Sequence, residues 1–213
     1  MADSSKPSVL AAIAGNSFIF VAKSVGFAVT GSAAMLSEAI HTFADLLNQI
    51  LLFIGITRSE READAEFPVG YGRERYIWAL ISAVGIFFLG CGVTLYHGVT
   101  GLFHPHKLES PGWAIGVLCL SFVIEFAVLV FAYRALKKEA AGKPFLQYVR
   151  READPSAAAV LMEDAAACLG VLFALTALGL TAWTGALYWD SIGSIAIGLL
   201  LGVVAAALIV RNH

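Results

Sequence analysis

Six apolar stretches, each long enough to cross a lipid bilayer, limit what this chain can fold into. A membrane-spanning helix needs about 20 mostly apolar residues. Of the 213 residues, 59% are hydrophobic and 14% are charged, so we predict an integral, multi-pass membrane protein of the all-α class. Residues 1–213 are expected to form one domain, a six-helix transmembrane bundle. The predicted spans are 9–29, 33–56, 76–103, 113–136, 155–182 and 191–210.

The distribution of Lys and Arg predicts the side of the membrane on which each loop lies, because cationic short loops stay in the cytoplasm. Lys107 is the single cation of the loops on one side. The cations that the spans place on the other side are Lys6, Arg58, Arg61, Arg73, Arg75, Arg134, Lys137, Lys138, Lys143, Arg150, Arg151 and Arg211. Both termini are therefore predicted to be cytoplasmic, in the inner cell membrane if the chain is bacterial.

The overall charge argues against a nucleic-acid partner. The formal net charge is −2, and the longest basic runs are the pairs Lys137-Lys138 and Arg150-Arg151, which make no basic patch of the kind that nucleic acids require. The cysteines are 3 isolated residues within apolar sequence, which predicts packing roles rather than disulfides or metal binding.

The second predicted span carries ionisable residues on one helical face. A charge at the centre of a bilayer costs about 3 kcal/mol or more, so such groups usually face a partner, a cavity or an ion path. Glu38, His41, Asp45 and Asn48 follow the helical repeat and share a stripe. His41 and Asp45 are candidate metal ligands. Glu38 and Asn48 either support those ligands or form structural hydrogen bonds.

The fifth predicted span supplies a complementary pair, Glu163-Asp164. Adjacent helical residues point about 100° apart, so the two carboxylates do not address one ion equally well without another helix. Asp164 is the stronger candidate ligand. Three roles stay open for Glu163, which are a ligand, a support for a ligand, or a hydrogen-bond partner of another span. Asp154-Pro155 predicts the N-cap and first turn of this helix.

Other polar residues within the spans have less specific patterns. For Glu125 in the fourth span and His97 in the third, we expect a buried partner or an interfacial position. Lys23 either pairs with Glu125, pairs with a carboxylate of the site, or extends to the interface. Small residues allow close helix approach in a bilayer, and we expect this of Gly85, Gly90, Gly92, Gly193, Gly198 and Gly202.

A histidine with carboxylates is a ligand set that suits Zn²⁺, which prefers four ligands drawn from nitrogen, oxygen and sulfur. Such a site binds metal only when the imidazole is neutral and the carboxylates are ionised, so metal and protons compete for it. This competition predicts proton-coupled ion transport. The sequence contains no phosphate-binding loop of the Walker type, so no ATP-driven step is expected.

The residues around this stripe match a known family. The segment from Gly31 to Gln49 strongly resembles the second transmembrane helix of the cation diffusion facilitators, and the segment from Phe67 to Arg75 is similar to the loop that follows it. Asp154-Pro155, Glu163-Asp164 and Leu169-Gly170-Val171 resemble the fifth helix of the branch that contains the mitochondrial zinc transporter. With six predicted spans, the resemblance covers nearly the whole chain.

This resemblance implies a divalent metal/proton antiporter that works as a homodimer by alternating access and exports Zn²⁺ from the cytoplasm. The metal is the transported substrate, and no resident cofactor is expected. In the family, the second and fifth helices each supply two ligands, which places His41, Asp45 and Asp164 in the site. Val160 stands where the fourth ligand is usual. Glu163, Asn48, Glu38 and water are the candidates to replace it.

Three further expectations concern the metal, the cytoplasmic domain and the rival functions. An oxygen-rich ligand set accommodates harder ions, so Mn²⁺, Fe²⁺ and Co²⁺ are alternative substrates. Family members generally continue into a cytoplasmic metal-binding domain, which this chain is expected to lack. The rival functions are an intramembrane metalloenzyme and a structural subunit, but neither His-Glu-x-x-His nor Gly-x-Ser-x-Gly occurs in the sequence.

Overall fold

A computed structural model describes residues 5–65, 67–104, 108, 110–153 and 155–211. These residues form α-helices and one π-helical segment, with no strand in the described ranges. Asp154 and Lys107, to which we assigned an N-cap and the side of a loop, lie outside them. The elements are α1 (Ser5–Thr30), α2 (Ala33–Ser59), α3 (Glu74–Gly85), the π-helical segment (Ile86–Val93), α4 (Thr94–Phe103), α5 (Pro111–Glu139), α6 (Phe145–Arg151), α7 (Pro155–Thr184) and α8 (Tyr188–Arg211).

Within the described ranges, six helical stretches are long and apolar enough to cross a membrane, which confirms the predicted number of spans and the all-α class. The third stretch runs through α3, the π-helical segment and α4 without a break. Large apolar side chains such as Phe18, Val123 and Phe131 are exposed on the outside of the bundle. Exposure of this kind suits lipid rather than water, because a bilayer solvates apolar surface.

A tight turn joins α1 to α2, as the short gap between the predicted spans 9–29 and 33–56 requires. Gly31 has φ +66°, a conformation that suits glycine, and its N–H donates to Phe27 O at 2.8 Å. Ser32 then caps α2, where its side-chain oxygen accepts a hydrogen bond from Met35 N at 3.1 Å.

Asp190 of α8 completes this cap from a distant part of the chain. Its carboxylate accepts hydrogen bonds from Ser32 Oγ at 2.6 Å, from Ala33 N at 2.5 Å and from Ala34 N at 3.2 Å. A carboxylate at a helix N-terminus satisfies free N–H groups and complements the helix dipole. Asp190 directly precedes the last predicted span, 191–210, and no local pattern in the sequence indicates this link between α8 and α2.

Helix α2 lies at the centre of the bundle. It packs against α1, α3, α7 and α8, whereas α5 packs against α1 and α7. This arrangement brings α1, α2, α5 and α7 together around the ionisable residues. Two local features were not predicted, the short helix α6 and the π-helical segment within the third span.

Glycines let the third span approach α8 closely. A Cβ added to Gly98 would lie 2.9 Å from Ile195 N, and one on Gly198 would lie 3.1 Å from Leu95 N. Gly90, Gly193 and Gly202 also meet neighbouring helices, as predicted, whereas Gly85 and Gly92 do not. We call this contact between the third span and α8 the glycine seam.

Candidate metal centre

The polar stripe of α2 lies on one face of the helix, as its spacing predicts. His41 Nε2 is 3.5 Å from Asp45 Oδ2, and His41 Nδ1 is 4.0 Å from Glu38 Oε1. Glu38 and His41 are buried, with 0% and 2% of their surface exposed. The imidazole therefore lies between two carboxylates within the bundle.

A cavity of about 50 Å³ opens between α1, α2, α5 and α7, beside Asp45. It brings together Asp45 from α2 with Glu163 and Asp164 from α7, so both predicted halves of the site face one space. The other residues that line this cavity are Asn16, Ile19, Thr42, Gln49, Glu125, Val128, Val160 and Ala167.

Several oxygens around the cavity are buried and have no hydrogen-bond partner among the described residues. They are Asp164 Oδ2, Glu125 Oε2 and Gln49 Oε1, each from a residue that lines the cavity. Buried polar atoms in folded proteins are nearly always paired, so such a group of unpaired acceptors needs an explanation. Oxygen acceptors with no donor are suited to a cation, because a cation supplies the missing positive partner.

Glu163 has a defined neighbour. Both of its carboxylate oxygens accept hydrogen bonds from Asn48 Nδ2, at 2.8 and 2.9 Å. Asn48 Oδ1 in turn accepts from Ser82 Oγ of α3. Of the three roles left open for Glu163, the structure therefore confirms the hydrogen bond to another span, and it also places the residue at the cavity.

Lys23 of α1 binds two carboxylates at once. Its Nζ lies 2.7 Å from Glu38 Oε2 and 2.8 Å from Glu125 Oε1, and it donates to Thr42 Oγ1 at 3.1 Å. The predicted pairing with Glu125 is confirmed, but it is shared with Glu38. Lys23 is completely buried, so the interfacial position is excluded.

The ligand candidates are not gathered around one point in this structure. Within the part of the chain that is described, no three His, Cys, Asp or Glu side chains are arranged as a metal-holding group. His41 is separate from the cavity wall and is related to it through Asp45. A metal that needs ligand distances of about 2.0–2.3 Å would require these side chains to close in.

Two amide side chains at the cavity, those of Gln49 and Asn16, were not predicted from the sequence. Gln49 lies four residues after Asp45, so the helical repeat of the stripe would have included it. Asn16 of α1 has no comparable pattern around it, and only the packing of α1 against its neighbours brings it to the cavity.

The amino-acid sequence of this six-helix bundle matches a known protein family. Residues 9–212, which are nearly the whole chain, match the family model of the cation efflux transmembrane domain. The chain belongs to the cation efflux family. The resemblance to the cation diffusion facilitators, in the branch of the mitochondrial zinc transporter, is thereby confirmed.

Named members of the cation efflux family are similar to this chain over almost all of its length. The mitochondrial proton-coupled zinc antiporter SLC30A9 of Xenopus laevis is 48% identical over 206 residues, which are 96% of this chain and 37% of that protein. The human protein of the same name is 46% identical over 96% of this chain and 36% of its own length. Metal tolerance protein C4 of Arabidopsis thaliana is 40% identical over 98% of this chain and 46% of its own length. The chain thus spans less than half the length of these relatives.

Proposed function

We propose that this chain is a secondary transporter that exchanges a divalent metal cation for protons, with Zn²⁺ as the preferred substrate. The observation that carries the proposal is the unpartnered oxygen of Asp164, buried beside a cavity that Asp45 also lines. Acidic groups facing a cavity inside a membrane-spanning bundle are typical of an ion path. Relatives named proton-coupled zinc antiporters support the choice of zinc.

We assign the metal site to His41, Asp45, Asp164 and Glu163. Asp45 and Asp164 reach the cavity from different helices, and His41 is held 3.5 Å from Asp45 Oδ2. Asn48 orients Glu163 through its two hydrogen bonds, so it acts on the site indirectly. Glu38 faces the other nitrogen of His41 at 4.0 Å and has the position of a support for that ring.

Proton coupling follows from the chemistry of these ligands. Metal binding needs a neutral imidazole and ionised carboxylates, so each arriving cation displaces protons and each arriving proton weakens the metal site. If the site opens alternately to either side of the membrane, this competition couples the two movements. Protons then move down their gradient while the cation moves in the opposite direction. We place both termini and the cation-rich loops in the cytoplasm. The match to the cation efflux family supports export as the direction, and we propose that a homodimer carries it out. If the source is bacterial, the membrane is the inner one.

The ligand chemistry also sets the alternatives. Mn²⁺, Fe²⁺ and Co²⁺ are the next candidates, because carboxylate oxygens bind harder divalent ions well. An intramembrane metalloenzyme would need an open coordination position beside a bound substrate. A structural subunit would need no cavity with unpartnered oxygens, so the cavity favours transport over that alternative, and the relatives named antiporters favour transport over an enzyme.

A flux assay tests the proposal. The chain is reconstituted in liposomes that contain a Zn²⁺-sensitive dye and a pH-sensitive dye, and an outward proton gradient is imposed. We expect Zn²⁺ to enter as protons leave, and Asp164→Asn to abolish both movements. A neutral amide of the same size cannot supply the charge that binds the cation.

Glu62→Gln is the matched control, because Glu62 is an exposed carboxylate in the loop after α2. This variant should transport Zn²⁺ at the rate of the unsubstituted chain. Zn²⁺ entry at an unchanged rate in Asp164→Asn would contradict the assignment of the site. Zn²⁺ entry with no proton movement would contradict antiport.

A further inference from the structure

Glu125 of α5 lines the same cavity, although neither the helical pattern nor the family resemblance gives it a role there. Only 9% of its side chain is exposed. A carboxylate inside a membrane-spanning helix is costly unless a cation or a donor compensates it. The surroundings of its two oxygens therefore indicate what it does.

The two oxygens of Glu125 have different environments. Oε1 accepts a hydrogen bond from Lys23 Nζ at 2.8 Å, whereas Oε2 is buried and has no hydrogen-bond partner in the part of the chain that is described. A carboxylate whose only function was to neutralise Lys23 would be expected to satisfy its second oxygen as well. Oε2 is instead one of the unpartnered acceptors grouped around the cavity.

Lys23 has a counter-ion without Glu125. Its Nζ is 2.7 Å from Glu38 Oε2, inside the bundle. One ammonium neutralises one carboxylate, so with Glu38 and Glu125 both ionised this group carries a surplus negative charge in a medium of low dielectric constant. A divalent cation in the adjoining cavity would compensate that charge.

The cavity also lacks a metal ligand at a position where the family resemblance leads us to expect one. Val160 lines it one helical turn before Asp164, and a valine side chain cannot bind a cation. Helix α7 therefore supplies Asp164 but no second metal ligand on the preceding turn. The neighbouring helix α5 supplies a carboxylate to the same space.

We propose that Glu125 is a direct ligand of the transported divalent cation and binds it through Oε2, while Lys23 holds Oε1. The inference rests on the proposed function and adds α5 to the two helices that form the site. Glu125 is then a ligand in addition to His41, Asp45, Asp164 and Glu163, and it compensates for Val160, which cannot bind the cation. A site completed by a further carboxylate favours harder ions such as Mn²⁺ more than a site with added nitrogen or sulfur ligands would.

Calorimetric titration of the purified chain with Zn²⁺ and with Mn²⁺, at fixed pH and ionic strength, tests this role. Glu125→Gln is expected to fold, because the amide oxygen can still accept from Lys23 and because Lys23 keeps Glu38 as its counter-ion. We expect the dissociation constant for Zn²⁺ to rise by about tenfold or more. The affinity for Mn²⁺ should fall further, because a harder ion depends more on carboxylate oxygen.

A double substitution moves the carboxylate from α5 to α7, which also lines the cavity. In Glu125→Gln/Val160→Asp, the new side chain lies one turn before Asp164 at the cavity, so we expect most of the lost Zn²⁺ affinity to return. Ser121→Ala is the matched control, because Ser121 is buried one turn before Glu125 on α5 and is separate from the cavity wall. Its metal affinities should equal those of the unsubstituted chain.

The outcomes separate this inference from the proposed function. Unchanged Zn²⁺ and Mn²⁺ affinities in Glu125→Gln would overturn the inference and leave the transport proposal standing. A loss that Ser121→Ala reproduces, and that Val160→Asp does not restore, would assign Glu125 to packing. Failure of the unsubstituted chain to bind or move any divalent cation would instead contradict the proposed function.

A further variant covers the case in which Glu125→Gln does not fold. Glu125→Asp keeps the charge and withdraws the oxygens by one methylene group, so the ratio of Mn²⁺ to Zn²⁺ affinity should still fall. An unchanged ratio would count against the inference.

Discussion

Two regions of the bundle are held together by opposite kinds of contact. At the glycine seam, small neutral residues let the third span and α8 approach until a Cβ on Gly98 would lie 2.9 Å from Ile195 N. Around α1, α2 and α5 the contact is a buried ion-pair group, in which Lys23 joins Glu38 and Glu125. We call this group the charged core.

The difference teaches where an ion can be handled. The glycine seam is closely packed, and a hydrogen bond crosses it from Ser194 Oγ of α8 to Thr94 O of the third span at 3.3 Å. The charged core lies beside a cavity and keeps unpartnered oxygens. A close-packed interface resists change, whereas groups with unsatisfied partners can exchange them when a cation or proton arrives.

Removing the ammonium of the charged core should have the largest effect on stability. Lys23→Met leaves Glu38 and Glu125 buried without a cation, and breaking a buried pair in this way costs about 3–5 kcal/mol. Denaturation of the purified chain in mixed micelles measures the change. Lys143→Met is the matched control, since its ion pair with Glu152 is exposed and such pairs contribute about 0–1 kcal/mol. Equal losses in the two variants would contradict the description of a charged core.

Filling the glycine seam should have the next largest effect. Gly98→Ala places a methyl group against the backbone of Ile195, which cannot move aside as a side chain can, so we expect a loss of about 1–3 kcal/mol. The matched control is Gly116→Ala on α5, where a Cβ would meet no atom within 4 Å. Thermal unfolding measures both variants. A seam that tolerated Gly98→Ala as well as Gly116→Ala would not be closely packed.

The cap that Asp190 provides should have a smaller effect. Asp190→Ala removes three hydrogen bonds at the start of α2, and loss of a helix cap costs about 1 kcal/mol. Because Asp190 is remote from the cavity residues in the sequence and is absent from the cavity wall, Zn²⁺ transport per folded molecule should not change. A lower rate per folded molecule, with stability intact, would show that this cap also acts on the site.

Gly170 of α7 should give the smallest loss of stability but a measurable loss of transport. A Cβ there would press on Glu38 Oε1 and would lie 3.4 Å from His41 Nδ1. Because Glu38 can shift, we expect Gly170→Ala to cost less than about 1 kcal/mol. The displaced carboxylate should lower Zn²⁺ transport by about tenfold or less, as loss of a group that orients a metal ligand does.

Gly179→Ala on the same helix is the control for Gly170→Ala, because a Cβ at Gly179 would meet no atom within 4 Å. Flux measurements in liposomes compare the two variants with the unsubstituted chain. Equal transport by all three would contradict a role for the contact between Glu38 and His41.

Much of the fold was predictable because it depends on local sequence. Length and hydropathy identify the spans, and the tight turn at Gly31 follows from glycine conformation and from Ser32 as a cap. The π-helical segment was not predictable from periodicity, since its residues are apolar in any register. It lies within the span that packs closely against α8.

The candidate site was predictable along each helix but not between helices. The spacing of Glu38, His41 and Asp45 already placed them on one face, and the contacts of 3.5 and 4.0 Å confirm it. The bond from Asn48 to Glu163 joins residues 115 positions apart, and no local pattern indicates which partner either residue takes. The same holds for Glu125, whose partner Lys23 was only one of several expectations.

By itself, the sequence determined six membrane-spanning helices, the turn between the first two, and an acidic stripe with an imidazole on α2, because hydropathy, capping and helical spacing are local properties. Only the tertiary structure decided that Lys23 is shared by Glu38 and Glu125, that Asp190 caps α2, and which oxygens are left unpaired around the cavity. Inside a membrane every polar group must find its partner within the protein. Which partner it finds depends on the helices that pack beside it.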